Sequence, residues 1–444
     1  MIKFKNHFTT SYRNVFQFIF LISFLLLIIR FFHLISLYSV NIPFWDQWDY
    51  FHTIWINESY FDSFLYIHAP HRQGIAFVID RFFLELSDLD TRVSSYLIGF
   101  IYVFASIIAI YIKRRLLGSN PLDSLTISIL FLSIGFYETM IITPNPSHGA
   151  FPILLILLMA YICILNWNDW FKLGLFLLLN FFAVYTGFAF FIGIITPFVF
   201  IFYSEFFRTP LRKTQKILIG FFISILILFS FFLSYKFHSA TDCFQFPHPY
   251  PNEYLSFVSY SNAYLLGFKE NAFLGLVLFI LQVLVLFYFI ANFITSRLNH
   301  RVQKPIFLVL FLLSSFSLLF QLNTAVGRVC VGERMGQSSR YLPYMVLGIY
   351  SLILCFYYLI INLHRSKLLF STLILFFSFY IEFFRKGELS VLEYHANGKR
   401  EWVDCYLKSH DLKICQKNYK IYPHSNYIED KLRILEHKGW SFFK

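Results

Sequence analysis

Long apolar runs recur along the chain, separated by short polar and basic segments. Each run is close to the roughly 20 residues that a helix needs to cross the hydrocarbon core of a bilayer. About eleven such segments are predicted, near residues 15–40, 94–112, 122–142, 149–166, 172–186, 188–204, 216–236, 271–296, 305–325, 341–363 and 367–384. The fifth and sixth are short and separated only by Thr186-Gly187. They form either a tight hairpin or one broken helix, which leaves the count open by two. The pattern predicts an all-α integral membrane protein: a polytopic domain over 1–384 and a more polar tail over 385–444. No internal repeat is visible, which argues against an inverted-repeat transporter.

Basic residues give the runs a direction. Lys3, Lys5 and Arg13 precede the first span, and Lys113-Arg114-Arg115 follow the second. Arg208, Arg212, Lys213 and Lys216 follow the sixth, Arg297, Arg301 and Lys304 the eighth, and Arg365 and Lys367 the tenth. With alternating spans all fall on one side, which the positive-inside rule makes cytoplasmic. The amino terminus is then inside and the carboxyl terminus outside. The outer face carries 41–93, 237–270, the tail, and smaller loops at 143–148 and 326–340. The net charge of +12 thus reads as membrane orientation and not as nucleic-acid binding. The chain is 57% hydrophobic and only 14% charged, far from soluble usage. The first run is too long for a signal h-region and lacks a small-residue cleavage site, so no cleaved leader is expected. Cys163 and Cys355 fall within spans as packing residues. Cys405 and Cys415 lie outside, where oxidising conditions allow a disulfide; Cys243 and Cys330 are also placed outside and able to pair. Free thiols are the alternative for both pairs.

Candidate chemistry gathers on the outer side. The run Pro43-Phe44-Trp45-Asp46-Gln47-Trp48-Asp49-Tyr50 sets two carboxylates among tryptophans at the membrane surface. On a helix Asp46 and Asp49 share a face, and a carboxylate near an acceptor hydroxyl can take its proton. The plainer reading is an N-cap for the helix that follows. Short interfacial helices are expected near 50–66 and 72–87, the second with a narrow polar stripe of Gln73, Asp80, Arg81 and Glu85. Between them lies Tyr66-Ile67-His68-Ala69-Pro70-His71-Arg72. His68 and His71 stand at metal-ligand spacing without a clear third ligand. Arg72 is a candidate for lipid phosphate, or a snorkelling cation. The run from Gly327 to Tyr341, with Arg328, Arg334, Arg340, Gly327, Gly332, Gly336 and Ser338-Ser339, suits an anion cradle. The plainer reading is ion pairing with acids of the first loop. Glu138 and His148 are ionisable groups near the outer end of a span, functional candidates by position. Arg30 and His33 read as snorkelling, and Phe246-Pro247-His248-Pro249-Tyr250-Pro251 as an extended connector or a groove wall.

One span, a P-x-W-D-x-W run, an H-x-x-H-R run and a late G-R…S-S-R-Y run stand in that order over most of the length. In this the chain resembles bacterial multi-span membrane glycosyltransferases of the GT-C superfamily, of the kind that modify O-antigen and other surface glycans. The tail, with Cys405, Cys415 and the Gly439-Trp440-Ser441-Phe442-Phe443 ending, resembles theirs as well. The resemblance implies a polyprenyl-phosphate sugar donor, a glycan or glycolipid acceptor, and work at the outer face of the bacterial inner membrane. It puts Asp46 in the position of an aspartate that acts as base or helps place the acceptor, with Asp49 beside it. His71 and Arg72 match the end of a run that relatives write H-N-E-H-R; the acid of that run is missing here. Arg340 and Tyr341 match the late S-R-Y run and go to the donor phosphate with Arg72 and Arg328. His68, His71, Glu138 and His148 are left to position the acceptor. No cofactor is required by this reading beyond an optional divalent ion. A polysaccharide polymerase or ligase acting on lipid diphosphates, and a lipid or glycan transporter without chemistry, are the competing expectations.

Overall fold

In the computed structural model the described residues are 2–68, 70–202, 213–236, 242–298, 305–360 and 364–444. They are almost entirely helical, and the one ladder among them pairs Ile67-His68 with His71-Arg72. Each of the eleven predicted runs contains a helix. Among the described residues seven helices are long and apolar enough to cross a membrane; three shorter apolar ones cover Pro121–Phe136, Ala150–Ile164 and Gly187–Phe202. The chain is a multi-pass, all-helical membrane protein. Its first helix, Ile2–Tyr38, turns Phe18, Leu26 and Ile29 outward, as a lipid-facing helix must.

The helix Pro305–Arg328 lies at the centre, most of its side chains buried. Small and amide side chains allow that packing. Gln321 accepts from Asn262 (2.7 Å) and donates to Gln282 (2.8 Å), which in turn donates to Asn262 (2.9 Å). This triangle ties together Asn252–Leu265, Ala272–Leu298 and Pro305–Arg328. A Cβ at Gly348 would sit 2.4 Å from the side-chain amide oxygen of Gln282, itself held in the triangle, so glycine lets Leu342–Ile360 come this close.

Several expectations change. The third run is not one helix. Pro121–Phe131 ends, a 3₁₀ turn covers Ile134–Phe136, and a π-helical turn carries Glu138–Ile142. The interruption makes room for Arg385, whose guanidinium a Cβ at Gly135 would meet at 2.6 Å. The fifth and sixth runs resolve into a hairpin of Asp169–Val184 and Phe191–Phe202, bridged by Thr196 Oγ1 donating to Asn180 Oδ1 at 2.9 Å. The 50–66 helix is two short pieces, His52–Trp55 and Tyr60–Leu65, the second opened by a Ser59/Asp62 capping box. In Gly74–Leu86 the predicted polar stripe faces the body: Gln73, Asp80 and Arg81 are buried, while Phe82, Phe83 and Leu86 face outward. This inside-out arrangement is what a helix lying against lipid requires. The 237–270 loop holds an unpredicted buried helix, Asn252–Leu265; Phe246 and Tyr250 are exposed.

The tail is built on Lys386–Ser409 and Ser425–Lys438, with a Cys405–Cys415 disulfide closing the link. It folds against the first long loop. Trp45 N–H donates to Ile421 O (2.9 Å), Lys431 Nζ to Trp48 O (3.0 Å) and Ser441 N–H to Asp88 O (2.7 Å). A second disulfide, Cys243–Cys330, joins the 237–270 and 326–340 loops.

Candidate functional site

At the face where these loops meet, one cavity of about 170 Å³ is lined by Asp46, His68, His71, His148, Arg328, Arg340 and Tyr341. Four separate stretches of sequence converge there, and each is aimed by identifiable contacts. Asp46 precedes the one-turn helix Gln47–Tyr50, but its carboxylate makes no capping hydrogen bond. The capping reading therefore fails for the side chain, which is left facing the cavity with 46% of its surface exposed. Gln47 holds the turn: it accepts from Phe44 N–H (3.0 Å) and donates to Pro144 O (3.0 Å), tying the run to the 143–148 loop.

Arg340 is oriented by Glu138. The Glu138 carboxylate accepts from Arg340 Nε (2.8 Å) and Nη2, the Arg340 backbone N–H (3.3 Å), and the hydroxyls of Ser338 (2.9 Å) and Ser339 (3.4 Å). The Ser-Ser-Arg run is thus a cradle for a carboxylate of the protein itself. Held on that side, the guanidinium turns Nη1 toward Asp46 Oδ2, 3.9 Å away. Glu138 sits in a small adjoining hollow that shares Asp46, His148 and Arg340 with the main cavity. Arg328 differs: it lines the cavity and makes no ion pair among the described residues. Arg334 pairs with Glu270 at 3.1 Å, both exposed, and does not line the cavity.

His71 Nε2 and His148 Nε2 lie 2.5 Å apart, so one ring donates and the other accepts. Burial pushes His71 down to about 3, and the nearby His68 and Arg328 add to the effect. Burial likewise holds His148 well below the usual histidine range, with His71 opposing its protonation. The pair is neutral at pH 7 and forms a packed wall with Phe188, whose ring is tilted by 42° against His71 at a centroid distance of 4.3 Å. Phe188 is placed by Gly187, at φ +54°, where a Cβ would fall 2.0 Å from Ser147 O. No group of three His, Cys, Asp or Glu among the described residues is arranged to hold a metal. The optional divalent ion finds no ligand set among the described residues.

Two predicted residues lie elsewhere. Arg72 is buried and spends its donors on carbonyls: Nε on Phe231 (3.2 Å), Nη2 on Phe231 (3.1 Å) and Leu233 (2.6 Å), and Nη1 on Leu65 (2.7 Å). It closes the carboxyl end of Lys213–Phe231, where carbonyls lack helical partners, and it does not line the cavity. Asp49 also turns away, accepting from the hydroxyls of Tyr422 (2.8 Å) and Tyr427 in the tail. Its neighbour Lys431 is pulled down to about 8 by burial, partly offset by Asp49. Conversely, Phe188, Phe244, Asn323 and Thr324 line the cavity without any sequence signal that marks them. Phe244 and Arg328 flank the Cys243–Cys330 disulfide, which fixes both against the site. No known protein family, curated protein or solved structure matches this chain.

Proposed function

We propose that this chain is a membrane glycosyltransferase that moves a sugar from a polyprenyl-phosphate donor to a surface glycan or glycolipid at the extracytoplasmic face. In this reading it has about eleven spans in the bacterial inner membrane, with the amino terminus in the cytoplasm and the tail outside. The observation that carries the proposal is the shared cavity: Asp46 faces Arg340 at 3.9 Å, with Arg328 in the same lining.

The chemistry follows from those positions. The acceptor hydroxyl loses its proton to the Asp46 carboxylate as its oxygen bonds to the anomeric carbon of the donor. The bond from that carbon to the phosphate oxygen breaks, and the polyprenyl phosphate leaves with the electron pair. Arg328 and Nη1 of Arg340 receive the charge that develops, in a site already oriented for it. Tyr341 and the neutral His71/His148 wall shape the cavity, and His68 lies beside the carboxylate. Glu138 acts through Arg340 as a positioning residue.

Charge favours a lipid monophosphate over the lipid diphosphate of a polymerase or ligase. The two guanidiniums of the cavity face two carboxylates, Asp46 and Glu138, and only Arg328 lacks an ion-pair partner among the described residues. One uncommitted cation matches one phosphodiester charge; a diphosphate brings about two negative charges into a site of low dielectric. The test is Asp46→Asn in proteoliposomes supplied with a polyprenyl-phosphate sugar. Transfer is expected to fall at least 100-fold with expression and membrane insertion unchanged. Full transfer by this variant overturns the assignment.

A further inference from the structure

The run that carries Asp46 packs nearly all of its aromatic side chains inward: Phe44, Trp48, Tyr50 and Phe51 are no more than 3% exposed. Trp45 alone points out, at 46%. Its backbone is at φ +48°, a left-handed conformation that a bulky L-residue adopts only at a cost. The surroundings enforce it. Trp45 N–H is held by Ile421 O at 2.9 Å, and Trp45 O accepts from Trp48 N–H at 3.1 Å, within the turn fixed by Gln47. Strain held in place immediately before a candidate catalytic acid marks a site whose geometry has a use.

What lies around the indole narrows that use. The indole meets the Phe44 ring edge-on at 6.0 Å; Tyr422, next in the chain to the Ile421 that holds Trp45 N–H, stacks on Tyr427 with ring centroids 5.0 Å apart at 25°. Both hydroxyls are fixed on Asp49, so the rings are held rather than free to turn. Pro423, His424, Asn426, Glu429 and Asp430 around them are exposed polar or charged positions, with one proline among them. This side of the molecule therefore faces water. The outward-turned Phe61, Phe82 and Leu86 on the helices of the first loop are a different, lipid-seeking surface.

A rigid aromatic surface in water, beside exposed carboxylates, matches the chemistry of a sugar ring. The C–H face of a sugar packs on an aromatic plane, and its hydroxyls donate to carboxylate oxygens. We infer that Trp45, with the Tyr422–Tyr427 pair anchored on Asp49 of the same run, is the landing surface for the acceptor glycan and presents one of its hydroxyls to Asp46. This rests on the transferase reading, and it gives the acceptor side of the cavity a place that the donor-binding arginines do not supply.

Initial rates for the full chain in proteoliposomes test it, with donor and acceptor varied separately. Trp45→Ala is expected to raise the acceptor KM tenfold or more, to move the donor KM less than twofold, and to leave thermal stability in detergent within a few degrees. Trp45→Phe, which keeps a ring, should recover most of the acceptor KM. An unchanged acceptor KM in Trp45→Ala overturns the inference. So does a parallel loss for both substrates that Trp45→Phe fails to rescue, the mark of a structural or lipid-anchoring tryptophan. If the wild type turns over no lipid-phosphate sugar, it is the transferase reading that fails. The surface is then judged by binding of the solubilised chain to an array of bacterial surface oligosaccharides. Binding lost in Trp45→Ala supports the surface; absent or unaltered binding overturns it.

Discussion

Replacing Glu138 by Gln keeps the shape of the side chain and removes its charge. Five donors converge on that carboxylate, three of them from Arg340. An amide can satisfy the donors that meet its oxygen, but its NH₂ then faces the guanidinium or, turned round, the Arg340 backbone N–H, donor against donor. A hydrogen bond to a charged group is worth about 1.5–3 kcal/mol. Arg340 is 38% exposed and Glu138 20%, so solvent recovers part of the loss, as it does for surface pairs worth about 0–1 kcal/mol. A net cost of about 2 kcal/mol corresponds to roughly a 30-fold smaller population with Arg340 correctly placed. The released guanidinium has an obvious destination in Asp46, now only 3.9 Å from Nη1. A close Arg340–Asp46 pair would occupy the base and withdraw the cation from the donor phosphate together. The expected result is a kcat about 30-fold lower in a protein that still inserts and folds. Glu138→Asp, which retains the charge, should fall in between. Initial rates in proteoliposomes at saturating donor measure this. A Glu138→Gln enzyme within threefold of wild type, or one indistinguishable from Glu138→Asp, refutes the view that Glu138 works by orienting Arg340.

Two other outcomes are expected. Arg72→Lys loses the fork that reaches Phe231, Leu233 and Leu65 carbonyls, and a single ammonium cannot span all three. It should destabilise the protein by about 2–4 kcal/mol, as breaking a buried charged network does. Activity per folded molecule should stay near wild type in thermal-unfolding and rate measurements; a selective rise in donor KM at unchanged stability would restore Arg72 to the phosphate site. Acid should also destabilise the fold through His71 and His148. Both are held neutral when folded, His71 down to about 3. Unfolded histidines titrate near 6.5. Between those values the unfolded chain binds protons that the folded chain refuses, so stability is full above about pH 6.5 and declines as pH falls toward 3. Melting temperatures from pH 7.5 to 4.5 should show this decline, and His71→Gln should flatten it; an equally steep loss in that variant would place the acid-sensitive groups elsewhere.

The sequence by itself determined the membrane class and the helical segments. Bilayer thickness and backbone hydrogen bonding impose a length and an apolar composition that any linear reading detects. It also pointed to the stretches around Asp46, His68–Arg72, Glu138–His148 and Arg328–Tyr341, because ionisable groups gathered on the outer side are not explained by the positive-inside pattern. It could not assign tasks within them. Arg72 and Arg328 are the same residue type in similarly basic runs. Tertiary structure made one a clamp on the carbonyls of a helix end and left the other facing the cavity. Asp46 and Asp49 look equivalent as a D-x-x-D pair. Asp46 stands just before the one-turn helix that holds Asp49; its carboxylate lines the cavity, while tyrosines of the tail claim Asp49. The serines before Arg340 read as an anion cradle, and their anion is the protein's own Glu138. In each case the deciding partner lies far along the chain, and no local pattern of hydrophobic and polar residues records which distant group will arrive to fill a donor or acceptor.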